Sequence, residues 1–338
     1  MFEEPWALAF LPGTPFALVT ERAGTLKLWR EGAAPVTVTG TPKVAYAGQG
    51  GLGDVKPAPD FAKTGTIYLT WAEPGDGEGR EQVRGAALGK ARLVLGENPH
   101  LEGLEVIWRQ TPKVTGGGHY SHRIAFSPDG KYLFLSSGER QKFTPAQDLS
   151  VNLGKVLRLL PDGTPAPGNP FAAKGGVSAQ IWSYGHRNLL GLKFDGQGRL
   201  WNLEHGPKGG DELNLVKAGV NYGWPLVSNG DNYDGTPIPR HSTRPDLAPP
   251  AISWNPVIAP GDVIFYRGAK FPAWRGHALI AGLGSKGLVD VAISGEKASE
   301  VARHDFGKRL RDIVEGSDGT VWILEDGPGA HLLKLTPR

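Results

Sequence analysis

Short apolar runs separated by Gly, Pro and Asp recur along the chain, and several share one plan: an apolar run, a turn, a second apolar run, then a polar stretch. Leu8 to Arg30 reads LAFLPGTPFALVTERAGTLKLWR, Ile124 to Gly138 reads IAFSPDGKYLFLSSG, Leu192 to Gly206 reads LKFDGQGRLWNLEHG, and Ile313 to Gly327 reads IVEGSDGTVWILEDG. Signals such as Pro128-Asp129-Gly130 and Asp318-Gly319 sit where a hairpin would reverse. Val55 to Ala72 and Val263 to Gly282 follow the plan more loosely. Six units in this length give a spacing of roughly 55 residues, in the range of propeller blades. One blade cannot cover both of its faces, whereas a ring of blades does so and leaves only short sheet edges. The pattern predicts an all-β chain folded as one six-bladed β-propeller over residues 1–338. The alternative is a β-sandwich or jelly roll, which also needs many short strands. The recurring hairpin wording favours the ring. Closure is expected to pair His331 to Leu335 with the N-terminal blade, or the reverse. Gly138 to Gly154 and Gly206 to Pro256 read as long loops, and such loops usually carry function or bind ions.

Composition agrees. Gly (49) and Pro (28) make up roughly a quarter of the 338 residues, about twice the ordinary share, yet 39% of residues are hydrophobic. Turns rather than disorder account for that combination. There are 37 Lys and Arg against 34 Asp and Glu, a net +3, too even a balance to argue for nucleic acid or a membrane surface. With no cysteine, disulfides, thiol nucleophiles and thiolate metal sites are excluded. No apolar run is long enough to span a bilayer, and the first residues lack the charge and apolar pattern of a signal peptide. One Met and sparse amide side chains suggest a thermophilic source.

Candidate chemistry clusters beside the hairpins. Gly116-Gly117-Gly118-His119-Tyr120-Ser121-His122-Arg123 places an imidazole just before a strand, where it can act as a general base; a plain loop histidine is the alternative, and His122 competes for the role. Tyr184-Gly185-His186-Arg187-Asn188 offers donors suited to an oxygen-rich planar ligand, or a cap between blades. Glu204-His205-Gly206-Pro207 and Gly209-Gly210-Asp211-Glu212 combine loop carbonyls with carboxylates, the oxygens that Ca²⁺ takes, though not in EF-hand spacing; a solvated turn is the alternative. Arg309 and Arg311 alternate, so both fall on one face of a strand and could hold a polycarboxylate or phosphate. Gln49 and Lys286 stand in further glycine-rich loops. Converging at one mouth, these residues would form a cationic site with a bare histidine, fitted to an anionic ligand of several oxygens.

With these motifs in hand, the chain resembles the soluble quinoprotein sugar dehydrogenases: glucose, sorbosone and aldose sugar dehydrogenases that use pyrroloquinoline quinone (PQQ). The resemblance spans nearly the whole chain. It rests on Gly48-Gln49-Gly50-Gly51, His119 with Arg123, Gly154-Lys155-Val156-Leu157-Arg158-Leu159, Gly185-His186-Arg187-Asn188, Gly206-Pro207, Asn221-Tyr222-Gly223-Trp224-Pro225 and Arg309-Leu310-Arg311-Asp312, in family order. It implies a six-bladed propeller that oxidises aldose sugars at the anomeric carbon to lactones, with His119 as base. It implies Arg187 and Asn188 at the quinone oxygens, with Gln49, Lys286, Arg309 and Arg311 around the cofactor. It implies one Ca²⁺ at the cofactor, on the carbonyls of Gly206 and Pro207. A second, structural Ca²⁺ would involve Glu212, the carbonyl of Tyr222 and Asp231. An exported, periplasmic or secreted, location and an unspecified electron acceptor also follow from the resemblance. Gly118 replaces an Asp of the family's glucose dehydrogenases, Tyr120 replaces a Gln, and the 138–154 loop is shorter. These departures point to the broader aldose group. A Ca²⁺-dependent lactonase and a non-catalytic binding propeller are the competing readings. The first would line its channel with carboxylates and Asn, whereas this chain offers Arg and Lys.

Overall fold

The computed structural model describes residues 1–79 and 81–337. Six antiparallel sheets stand around a common axis, which is the predicted six-bladed propeller. Blade 1 holds the strands Pro5–Phe10, Ala17–Glu21, Thr25–Trp29 and Val36–Val38, in that order from the axis outward. The other blades start at the axis with Leu52–Pro57, Ser121–Phe126, Asn188–Phe194, Pro260–Phe265 and Leu310–Glu315. Each of the six sequence units is the inner hairpin of one blade. These hairpins are apolar on both faces because each sheet packs between two others. Ile280 and Val289 meet Trp201 and Leu203 of the preceding blade, and Leu279 and Ala281 meet Ile313 and Ile323 of the next.

Two expectations change. The terminal strand Leu332–Leu335 pairs with Val321–Glu325 and completes its own three-stranded blade; the N-terminus adds the Phe2–Ala330 bridge and a Glu4 N–H to Gly327 carbonyl bond. The ring therefore closes by packing of blade 1 on blade 6, where Leu8 and Val19 meet Trp322 and Leu324. The stretch 206–256 is also not all loop. Asp211–Leu215 and Ile252–Trp254 complete blade 4, and the long loop lies between them.

The innermost strand of every blade carries a register shift near the same end, for example at Pro5/Ala7, Leu189/Gly191, Pro260/Asp262 and Leu310/Asp312, and likewise in blades 2 and 3. A bulge re-aims the side chains beside it. Six bulges at one end of the axis turn polar side chains inward there.

Just below the bulges the channel is sealed by charge. Arg123 is fully buried, with its guanidinium 3.1 Å from Asp312, 3.6 Å from Asp54 and 3.9 Å from Asp262, and it lies over the Trp6 ring. Lys193 reaches Asp262 at 3.1 Å and Lys56 reaches Asp54 at 3.4 Å. The carboxylates also tie neighbouring blades: Asp54 accepts the Ile124 N–H and Asp312 the Leu8 N–H.

Candidate active site

Above this plug a cavity of about 290 Å³ opens at the bulged end, and all six blades line it. Its walls include Glu4, Trp6, Arg22, Gln49, Tyr120, Ser121, His122, Asn188, His205, Arg309, Arg311 and Asp326. The alternation within strands is visible in the pairs Glu4/Trp6, Tyr120/His122, Asn188/Leu190 and Arg309/Arg311.

His119, 5% exposed, is not itself among the lining residues; it directly precedes Tyr120 and Ser121, which are. It has φ 51°, and Ser121 and His122 also have positive φ. A backbone of that kind is held by its surroundings, and here Gln49 does part of the holding: its Oε1 accepts the His119 N–H at 2.8 Å. A glycine is required opposite, because a Cβ on Gly138 would stand 2.0 Å from the His119 carbonyl. The His119 Nδ1–H donates to Glu139 Oε1 at 2.5 Å. The other Glu139 oxygen accepts the N–H groups of Lys142 and Phe143, each at 2.6 Å. That arrangement fixes the tautomer and leaves His119 Nε2 with no hydrogen-bond partner among the described residues. Burial pulls the imidazole below its ordinary pKa against the pull of Glu139, and Arg187 and Arg140 add to the lowering. His119 is thus a neutral imidazole at neutral pH, backed by a carboxylate.

His122 is no competitor for this role. Its Nδ1 is engaged by the Thr70 hydroxyl at 2.9 Å, its ring stacks on Trp6, and burial drives it down to about 3. Arg123 points into the plug rather than the cavity.

Arg187 joins His119 through Glu139, whose N–H donates to the Arg187 carbonyl at 3.0 Å. The guanidinium donates to the carbonyls of His205 (3.2 Å) and Gly206 (2.7 Å) and to the Tyr233 hydroxyl (3.3 Å), and it lies over the Trp224 ring. Its Nε is buried and unpartnered. Asn188 accepts from Ser121 at 3.3 Å and lines the cavity. Arg309 and Arg311 do fall on one face, where both clamp Asp326, at 2.7 and 2.8 Å. The cationic surplus is therefore partly met from within the protein.

Gly206, Pro207, Glu212 and Tyr222 surround a single void of about 10 Å³ beside Arg187, together with Glu204. Burial pushes the Glu212 carboxyl up, His241 opposes this, and Glu204 adds to the rise. The His241 and Asn214 contacts to Glu212 are long, 3.3 Å each, and Asn202 and Asn214 keep buried oxygens without donors. No group of three or more His, Cys, Asp or Glu able to hold a metal occurs among the described residues, so a cation there must draw on carbonyls as well.

Two expected site residues lie elsewhere. Asp231 is ion-paired with Arg240 at 2.6 Å and bridges Lys208, next to Pro207, but is not itself among the residues that line the Glu212 void. Lys286 is exposed on the turn after Ala278–Gly282, with φ 52°, and does not line the cavity. Its exposed, strained turn leaves the ammonium in water.

Other site residues escaped the sequence reading: Glu139, Trp6, Arg22, His205, Tyr233 and Asp326. Three of them do carry a signal. The residue that closes the second run of a hairpin is Arg22, His205, Leu283 or Asp326 in four blades, and all four line the cavity. Aligning the repeats at that position would have found them. Among them His205 donates from Nε2 to the Pro260 carbonyl at 2.7 Å, and burial holds it neutral, down to about 3, with Arg187, His119 and Arg311 all acting the same way.

A propeller whose mouth gathers guanidinium groups beside one carboxylate-backed imidazole is suited to an anionic, oxygen-rich ligand. The sequence profile of the Glucose / Sorbosone dehydrogenase family matches residues 2–334, and the chain belongs to that family. It is 39% identical to the aldose sugar dehydrogenase YliI of Escherichia coli K12 over 345 residues, covering 99% of this chain and 91% of that protein. The apo-form crystal structure of the soluble aldose sugar dehydrogenase of Escherichia coli superposes with a TM-score of 0.92 at 38% identity, covering 99% of this chain and 97% of that one. The PQQ-bound aldose sugar dehydrogenase of Streptomyces coelicolor superposes with a TM-score of 0.79 at 26% identity, covering 99% and 95%. The chain is thus an oxidoreductase of the sugar dehydrogenase type. No helix among the described residues is long and apolar enough to cross a membrane.

Proposed function

We propose that the protein oxidises aldose sugars at the anomeric carbon to lactones, with PQQ as electron acceptor. The observation that carries this reading is the His119–Glu139 pair, with Nε2 free, held by Gln49 and directly preceding Tyr120 and Ser121 of a cavity rich in guanidinium groups. The residues present suit PQQ. Within the cavity lining Arg22, Arg309 and Arg311 outnumber the two carboxylates Glu4 and Asp326, and beside it Arg187 Nε is an orphaned donor. A tricarboxylate would meet those donors. The backbone is close there as well: a Cβ on Gly48 would stand 2.5 Å from the Gly117 carbonyl.

When bound, PQQ supplies the two-electron acceptor that takes hydride from the sugar, and Ca²⁺ draws electron density from its quinone oxygen. The protein's part is the proton. His119 Nε2 takes it from the anomeric hydroxyl, and the new positive charge is held by Glu139 across Nδ1–H. Arg187 and Asn188 present donors to oxygens that gain negative charge. Gln49 fixes the His119 backbone, so the base does not drift. Gly206 and Pro207 would offer carbonyls to the cation, which requires Arg187 to leave the Gly206 oxygen and turn toward the cofactor. Glu212 with the Tyr222 carbonyl suits a second, structural Ca²⁺ at the small void. The test is spectroscopic. Purified protein with saturating PQQ and Ca²⁺ should show quinone absorbance that an aldose bleaches. No change with any aldose would overturn the reading.

A further inference from the structure

We propose that Lys155 is a positioning residue for the base, acting through the loop that carries Glu139; this rests on the reading of His119 given above. Lys155 opens the strand Lys155–Leu159 of blade 3 and is fully buried. No carboxylate pairs with it among the described residues. Its ammonium instead donates to three carbonyls: Leu153 at 2.6 Å, Pro145 at 2.8 Å and Ala146 at 3.2 Å. A buried charge without a counterion persists only where its hydrogen bonds are satisfied. Here three donors meet three acceptors.

Those acceptors come from both arms of one loop. Pro145 and Ala146 belong to the short 3-10 turn Thr144–Ala146, and Leu153 lies on the returning arm. The turn is coupled to the base by consecutive hydrogen bonds. The Ala146 N–H donates to the Phe143 carbonyl at 3.1 Å, the Phe143 N–H holds Glu139 Oε2, and Glu139 Oε1 holds His119. The Ala146 carbonyl also accepts the Gly185 N–H at 3.0 Å, two residues before Arg187. One ammonium thus pins the lead-in to Arg187 and the support of His119 to the same strand.

The loop needs such a pin. Arg140, Gln141 and Phe143 all have φ near +60°, a conformation that persists only when neighbours over-determine it. The apposition is close as well: a Cβ on Gly154 would stand 2.7 Å from Ala146 Cα. Methionine at 155 would fill the space but leave the three carbonyls without that donor. Glu139 would then lose its fixed geometry against His119, and the carboxylate would no longer hold the imidazole pKa up.

The test combines two readouts. In the PQQ-free protein, the His119 Nδ1–H should give a far-downfield proton NMR signal, lost in Glu139→Gln and weakened or lost in Lys155→Met. In the loaded enzyme, Lys155→Met should lower kcat about tenfold with KM little changed. Its acid limb should shift to lower pH, as in Glu139→Gln, and the double variant should be no slower than Glu139→Gln alone. An unchanged signal and pH profile in folded Lys155→Met, or a double variant slowed by the product of the single effects, would overturn the proposal. If Lys155→Met does not fold, the wild-type protein still decides. A clasped Lys155 ammonium should give a slowly exchanging ¹⁵N-bound proton signal, and rapid exchange would overturn it. Failure of the base assignment shows separately, as undiminished turnover in His119→Gln.

Discussion

Two charge clusters share the axis of this ring, and they are built in opposite ways. The lower one is closed. Arg123 and the carboxylates of Asp54, Asp262 and Asp312 have almost no exposure, Lys193 and Lys56 are about four-fifths buried, and the charges match within the protein. Asp262, which burial alone would raise, is held low by Arg123 and Lys193; burial pushes Asp312 up, and the Asp262 charge adds to it. The upper one is open. Arg187, Arg309 and Arg311 have fewer carboxylates than guanidinium groups among them, and a neutral imidazole in place of another charge. Both clusters sit on the same inner strands, so the difference lies in partners. A sealed set of charges must neutralise itself, and an unsealed cationic set is completed by a ligand.

The largest expected effect separates chemistry from scaffold. His119→Gln should reduce turnover about 100- to 10,000-fold while leaving cofactor binding and melting temperature nearly unchanged. In the wild type, activity requires the neutral imidazole. It should fall as pH drops through the folded pKa of His119, which burial places below the ordinary value of a histidine, so the acid limb of kcat should lie below about 6.5. Full turnover in the variant would remove His119 from the mechanism.

The closed cluster should behave in reverse. Arg123→Met removes one partner from a buried set and strands three carboxylates with two lysines. The expected loss is about 3–5 kcal/mol of unfolding free energy, read by denaturant titration. A loss under about 1 kcal/mol would mean that water already enters the plug.

These two clusters also differ in how legible they are in sequence. The hairpins announce themselves because turn residues recur at one place in each apolar pair. The open cluster was read from glycine-rich and arginine-bearing motifs next to those hairpins: of the six residues expected there, Gln49, Asn188, Arg309 and Arg311 line the cavity, and His119 and Arg187 stand beside residues that do. The plug was not, since Asp54, Asp262 and Asp312 look like ordinary polar positions until the bulges turn them onto the axis. Glu139 was missed for a related reason: it meets His119 through a loop whose path is set by positive φ and by Lys155, neither of which has a periodic signature. Lys286 and Asp231 show the converse, where proximity in a motif did not bring the side chain to the site.

Between the extremes lies Arg311. It is half of a clamp on Asp326, and Arg309 still holds that carboxylate when Arg311 is removed. Arg311→Met should therefore cost little stability. Its effect belongs to the ligand, with PQQ affinity reduced about ten- to a hundredfold by titration of the apo-protein. Equal damage to stability and affinity would assign Arg311 to the scaffold instead.

Ionic strength gives the mildest contrast. Exposed charges more than a Debye length apart are screened, whereas buried pairs are screened far less. Arg309 is half exposed, with a side-chain accessibility of 50%, and Arg123 has 1%. Raising salt about tenfold should then weaken binding of the tricarboxylate several-fold, because the open cluster attracts it partly through solvent. The same change should leave the unfolding midpoint nearly constant, since the closed cluster does not see the added ions. If salt instead lowered stability and spared affinity, the assignment of open and closed would have to be exchanged.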